Sequence, residues 1–130
     1  MDGECLFCDM DEDHIIEQYR DWYVVRDLFP VNRGHTLIVL NDHRRSISEL
    51  SEWPWEELRD ILNDQMARLR EETGCTDFNI GINDGRAAGQ TVPHGHVHVI
   101  PRHQGDSPDP RGGIRWIKPE KARYWGEGEK

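Results

Sequence analysis

The chain has 130 residues, with 25 acidic against 16 basic side chains and a formal charge of −9; that size suits one domain around one core. The acidic balance, with no basic stripe on any segment, argues against a long nucleic acid as partner, yet leaves room for a small phosphorylated ligand that needs only local donors. No stretch approaches the roughly 20 continuous apolar residues of a membrane span, and the N-terminus lacks a basic region followed by an apolar run, so a cytoplasmic protein without membrane contact is expected.

In chain order, Cys5 and Cys8 come first as a C-x-x-C, and Cys75 stands alone. An odd set of cysteines without an export signal points to metal or thiol chemistry rather than disulfides. The pair has the spacing of half a structural zinc site, whose tetrahedral closure would need two further ligands. Cys75 reads as a partly buried spectator. Residues 15–19 and 22–26 are rich in β-formers and flank Arg20-Asp21, which predicts a hairpin. Pro30, Asn32 and Gly34 mark a loop before the apolar run 36–40, a buried strand.

From Ser51 the period changes. Ser51 is a suitable N-cap, Pro54 falls in the first turn, and Glu56 and Glu57 suit the positive end of the helix dipole. Leu58, Ile61, Leu62, Met66 and Leu69 recur at helical spacing, and Gly74 is a suitable stop. Strands are expected again at 77–82 and 95–101, joined by a loop from Asn83 to Gln90. The expectation is one α+β domain over 1–130: an antiparallel meander sheet with one long helix and a short one. Its core covers about 5–102, an extension follows over 103–124, and 125–130 are expected to be disordered.

His94, His96 and His98 alternate with Gly95, Val97 and Val99 on the last strand, so all three imidazoles share one face. Such a triad can be a three-histidine metal site, or a nucleophile with neighbours that set its tautomer. The preceding loop favours the second. It carries no carboxylate near enough to orient a metal-bound imidazole. It does carry Asn83, Gln90 and Thr91, with Gly85 and Gly89 to free backbone N–H groups, a set of donors suited to phosphate oxygens.

The stretch Ala88-Gly89-Gln90-Thr91-Val92-Pro93-His94-Gly95-His96-Val97-His98-Val99-Ile100-Pro101-Arg102 resembles the signature of the histidine triad superfamily, and the likeness extends over most of the chain from Cys5 to Arg102. The segment Asp109-Pro110-Arg111-Gly112-Gly113-Ile114-Arg115-Trp116, with Pro119-Glu120-Lys121, is similar to a bacterial branch described as diadenosine polyphosphate hydrolases. The resemblance implies that His96 is the nucleophile, forming a nucleotidyl-histidine that water then hydrolyses. It implies that His98 bonds the phosphoryl oxygen or leaving group, and that Asn83, Gly89, Gln90 and Thr91 hold the phosphate with donors already in place. Asp27 would accept from the ribose hydroxyls, and Leu6, Phe7, Met10, Val25 and Leu28 would form the pocket for the base. His35 would support the site without reacting.

The same resemblance, extended to the related galactose-1-phosphate uridylyltransferases, implies closure of the Cys5–Cys8 half-site by His43 and His94. That would give one structural Zn2+ per chain. It also implies a symmetric homodimer, to which the apolar stripe Leu58–Leu69 could contribute. Two departures from the family pattern stand out: Gly95 replaces a bulkier apolar residue, which predicts looser packing behind the triad, and Asn41 follows Leu40 where a proline is common. The function expected is hydrolysis of a nucleotide at the α-phosphorus, with a dinucleoside polyphosphate or another adenylylated compound as substrate. A nucleotidyltransferase or phosphorylase, a nucleoside phosphoramidase, and a nucleotide-binding sensor with incidental turnover are the alternatives.

Overall fold

The computed structural model describes residues 5–126. Of the tail expected to be disordered, 127–130 lie outside the described residues, while Trp125 is half-buried with the Arg111 guanidinium 4.2 Å above its ring. Five strands form one antiparallel sheet: β1 (Ile15–Gln18), β2 (Trp22–Arg26), β3 (Thr36–Leu40), β4 (Asp77–Gly81) and β5 (His96–Arg102). The order is β1-β2-β3-β5-β4. The first three strands run as a meander; after the helix, β4 takes the edge and β5 enters between β3 and β4. Every strand pair remains antiparallel, and the histidine strand becomes an interior strand, flanked by β3 and β4.

The long helix α1 (Glu52–Thr73) ends where sequence chemistry demands, at Gly74, whose φ of 77° lets its N–H close on the Arg70 carbonyl. Its start differs in detail from expectation. Ser51 sits at the cap position without a side-chain cap bond, and the Glu57 carboxylate accepts the N–H groups of Arg20 and Asp21 at 2.9 and 2.7 Å. The hairpin turn is thereby clamped to the first turns of the helix. Trp22 adds to the joint by donating from its indole to the Pro54 carbonyl at 2.8 Å.

Both faces of the central strands are covered, which explains the unbroken apolar runs of β2 and β3. On one face Trp22, Val24, Ile38, Leu40, Val97 and Val99 pack against Leu58, Ile61 and Leu69 of α1. On the other, Tyr23, Val25, Leu37 and Val39 receive Cys5 and Phe7 from the N-terminal segment. Cys75, expected to be partly buried, lies fully within the first cluster. Burial of each such side chain is worth about 1.5–3 kcal/mol. The second face carries the histidines, so the N-terminal segment is what roofs the site.

After β5 the chain forms a 3₁₀ turn over Gly113–Ile117 and the short helix α2 (Pro119–Ala122). No helix among the described residues is long and apolar enough to cross a membrane.

Candidate active site on the histidine strand

His96 is buried at the start of β5, and its Nδ1 stands 2.8 Å from the His94 carbonyl. A carbonyl oxygen can only accept, so Nδ1 carries the proton and Nε2 keeps its lone pair. The ring is held from the side by Phe7, with centroids 4.9 Å apart at 67°. His98 has the opposite arrangement. The Val31 N–H donates to His35 Nδ1 at 3.0 Å, so His35 carries its proton on Nε2, which stands 2.9 Å from His98 Nδ1 and 3.3 Å from the Asp27 carboxylate. His98 therefore accepts at Nδ1 and presents Nε2–H as a donor. Burial first, then the nearby His96 and His35 rings, push the His98 pKa down to about 4, so the ring is a neutral donor near pH 7.

The two histidines line a cavity of about 370 Å³ that also gathers Leu6, Phe7, Met10, Val25, Asp27, Leu28, Asn83, Gly89, Gln90 and Thr91. Every residue expected at a catalytic or nucleotide-binding position thus borders one space. Their exposure divides them: Phe7 and Val25 are buried, whereas Leu6 and Leu28 are 52% and 62% exposed and form the rim. Asp27 is partly occupied, its Oδ1 accepting from the Phe29 N–H at 2.9 Å.

The loop before the triad corrects one expectation. The N–H groups of Gly85 and Gly89 are not free: Gly85 donates to the Gln90 side chain at 2.7 Å and Gly89 to the Arg86 carbonyl at 3.0 Å. The Gln90 amide is likewise consumed, donating to the Arg45 and Val92 carbonyls at 2.9 and 3.1 Å. The stretch from Asn83 to Gln90 has no strand partner, so its polar groups must be satisfied locally, and Gln90, buried at its end, does so. Gln90 therefore shapes the loop. The Asn83 and Thr91 side chains have no hydrogen-bond partner among the described residues and remain as donors at the cavity.

A second cluster lies at the other end of the triad. The Nδ1 and Sγ atoms of Cys5, Cys8, His43 and His94 all fall within 4.8 Å of one another. His94 Nε2 stands 2.7 Å from the Leu40 carbonyl and must donate to it, which leaves Nδ1 as a lone pair 3.3 Å from Cys5 Sγ; His43 Nδ1 is 3.1 Å from Cys8 Sγ. Two thiols and two imidazole nitrogens around one point fit a tetrahedral Cys₂His₂ ion site. Gly95 belongs to this joint. A Cβ there would stand 2.9 Å from Leu40 Cδ1 and 3.3 Å from the Arg44 carbonyl, so the space is filled rather than loose as expected, and the glycine permits a close approach. Asn41 has its own reason: its N–H donates to the Asp21 carbonyl at 2.9 Å, a bond that proline could not make.

The family comparison agrees with this arrangement: residues 10–105 match the HIT domain. The chain belongs to the histidine triad family. Among relatives of this histidine triad protein, a HIT-like protein of Methanocaldococcus jannaschii is 35% identical over 78% of this chain and 81% of its own length. Adenosine 5'-monophosphoramidase hnt1 of Schizosaccharomyces pombe is 31% identical over 78% and 74%. The asymmetrical bis(5'-nucleosyl)-tetraphosphatase of the same yeast is 37% identical over 62% of this chain and 44% of its own. A zinc-bound histidine triad family protein of Mycobacterium smegmatis superposes with a TM-score of 0.66 at 31% identity, over 82% of this chain and 84% of that one.

Sequence reasoning missed four residues that line the cavity of this histidine triad protein: Arg26, Phe29, Leu37 and Val92. Leu37 had a partial signal, because alternation along 36–40 sets it on one face with Val39, but that this is the histidine face follows from its pairing with His98 across β3 and β5. Phe29 had none. It is an exposed loop residue whose position depends on the Asp27 turn.

Proposed function

We propose that this histidine triad protein is a nucleotide hydrolase acting at the α-phosphorus through a nucleotidyl intermediate on His96. The observation that carries the reading is the tautomer of His96: an imidazole whose Nδ1–H is tied to a backbone carbonyl, on a buried strand, has its nucleophilic nitrogen free at a cavity of nucleotide size.

In the first step, a bond forms between His96 Nε2 and the α-phosphorus as the bond to the bridging atom breaks, and the leaving group departs with that electron pair. His98, held by His35, hydrogen-bonds the phosphoryl oxygen or the leaving group through Nε2–H. In the second step, water adds to the phosphorus, the N–P bond breaks, and a nucleoside monophosphate leaves with the imidazole restored. The donors on Asn83 and Thr91 meet the charge that develops on the phosphoryl oxygens. Asp27 receives the ribose hydroxyls, and Phe7, Met10 and Val25 receive the base between the rim residues Leu6 and Leu28. Cys5, Cys8, His43 and His94 would hold a zinc ion whose contribution is structural, fixing the strand end that supplies the carbonyl for His96.

Dinucleoside polyphosphates and related adenylylated compounds are the proposed substrates, supported by relatives that include a bis(5'-nucleosyl)-tetraphosphatase and an AMP phosphoramidase. The test is incubation with diadenosine polyphosphates and adenosine 5'-phosphoramidate, product identification by chromatography, and rapid denaturing quench to trap phosphohistidine. His96→Ala is expected to lose turnover by about 10³-fold or more while still binding AMP. Turnover near wild type in that variant would remove the mechanism.

A further inference from the structure

The chain between β3 and the 3₁₀ turn Ile47–Glu49 has no strand or helix of its own, yet four consecutive residues fasten it to the stretch that leads into β5. The Arg44 carbonyl accepts the Gly95 N–H at 2.7 Å, and the Arg45 carbonyl accepts the Gln90 amide at 2.9 Å. Ser46 donates its hydroxyl to the Asp84 carboxylate at 3.1 Å, and the Ile47 N–H donates to the other carboxylate oxygen at 3.2 Å. His43, beside Cys8, comes immediately before these four, and Asn83, a donor at the nucleotide cavity, comes immediately before Asp84. Residues 43–47 therefore form a strap with the Cys/His cluster at one end and the phosphate donors at the other.

Asp84 stands where electrostatics alone would not put an acid. A carboxylate next to a group that holds phosphate repels the ligand, and among the described residues no cation lies within ion-pair distance of it. Its two oxygens instead accept one bond each from the strap, a task for which an amide has only one oxygen. At the far end of the same loop the Gln90 side chain accepts the Gly85 N–H at 2.7 Å while it donates to Arg45. The loop that begins at Asn83 and delivers Thr91 is thus tied to the strap at both ends.

We propose that Asp84 is a positioning residue for the phosphate site, and that through the strap it couples the Cys/His cluster to nucleotide affinity. With His43 held by a metal, the near end of the strap is fixed, and the Asp84 latch passes that order on to Asn83 and Thr91. Whichever ligand binds second then orders less of the chain than it would alone. Such coupling is reciprocal: the factor by which metal tightens nucleotide is the factor by which nucleotide tightens metal. The inference rests on the nucleotide reading of the cavity and adds a control on its affinity.

The experiment titrates AMP by calorimetry into zinc-loaded and chelator-treated, dialysed protein. For the wild type, removal of zinc should weaken AMP binding about fivefold or more, and AMP should raise zinc affinity by the same factor. Asp84 is exposed, so Asp84→Ala should keep its Tm. In zinc-loaded protein it should weaken AMP by about the factor that chelation does, raise KM more than it lowers kcat, and make AMP affinity indifferent to zinc. Asp84→Asn, which keeps one acceptor oxygen, should recover part of the loss. Ser46→Ala cuts the latch from the other side with the charge left in place; it should reproduce Asp84→Ala, and the double variant should be no worse than either single one. The sign of the effect is decisive. A solvated acid that only repels phosphate would give unchanged or tighter AMP binding in Asp84→Ala and Asp84→Asn, and that result would overturn the proposal. So would equal AMP affinity with and without zinc in the wild type, or a zinc effect that survives in Asp84→Ala. A wild-type protein that binds no AMP in either form would instead remove the nucleotide reading itself.

Discussion

His96 and His98 stand two residues apart on one strand face and differ in the partner of Nδ1, a carbonyl for the first and the N–H of His35 for the second. That difference assigns one ring as lone-pair donor and the other as hydrogen donor. It also couples the site to pH. The pKa of His98 is pushed down to about 4 by burial and by its neighbours, and burial likewise lowers that of His35 against the opposing pull of Asp27. Because the unfolded histidines titrate near 6.5, the unfolded state binds more protons than the folded one between about pH 6.5 and 4, and stability rises with pH in that window. The stability these rings contribute is complete above about pH 6.5 and is lost as the pH falls toward 4. Asp106 sits below the usual carboxylate range through its bonds to Arg102, and its contribution is lost only at lower pH, outside the window. Urea unfolding of chelator-treated protein should therefore show a level midpoint from pH 8 to 7 and a steady fall from 6.5 to 4.5. A level midpoint throughout would count against the neutral, buried assignment.

The N-terminal segment, the end of β3 and the start of β5 meet at Cys5, Cys8, His43 and His94. Their joint serves the reacting strand, because His94 supplies the carbonyl that orients His96 and is itself anchored to the Leu40 carbonyl. If the site holds zinc, protein purified without chelator should contain about one equivalent by elemental analysis. A Cys5→Ser, Cys8→Ser double variant should then lose the metal and melt several degrees lower, with turnover reduced but not abolished, since His96 is untouched. Retention of zinc by that variant would refute the ligand assignment. Abolished chemistry with fold and nucleotide binding intact would move a catalytic metal ahead of a structural one.

The molecule as a whole is built around a sheet with two edge strands, β1 and β4, and among the described residues β4 is paired on one side only. An open strand edge is a pairing surface unless something covers it. The apolar stripe of α1 adds less than the sequence promised, because Leu58, Ile61 and Leu69 are spent in the protein's own core, leaving Trp53 and Trp55 outward. The expected assembly is a symmetric homodimer that uses this edge and the adjoining helix surface. Sedimentation at micromolar concentration checks it: a dimer mass is expected, and Ile80→Lys on β4 should shift the distribution toward monomer. A wild-type monomer would rule the assembly out.

Much of this was written in local pattern. The period-two histidines placed His96 and His98 on one face of β5, whereas His94, expected on the same strand, lies in the bend just before it; Thr36 to Leu40 announced a buried strand and Gly74 the end of a helix, because side-chain period and cap chemistry depend on neighbours within a few residues. What local pattern could not reach was the partner of each polar atom. His35 meets His98 across 63 positions and Gln90 meets Arg45 across 45, and only the insertion of β5 beside β3 brings those segments together. The sequence by itself determined which residue types stand on the reacting face. The tertiary structure decided which nitrogen is free and that Gln90 and the N–H groups of Gly85 and Gly89 are spent on the protein itself while Asn83 and Thr91 stay at the cavity, because hydrogen bonds between distant segments are set by strand pairing and packing.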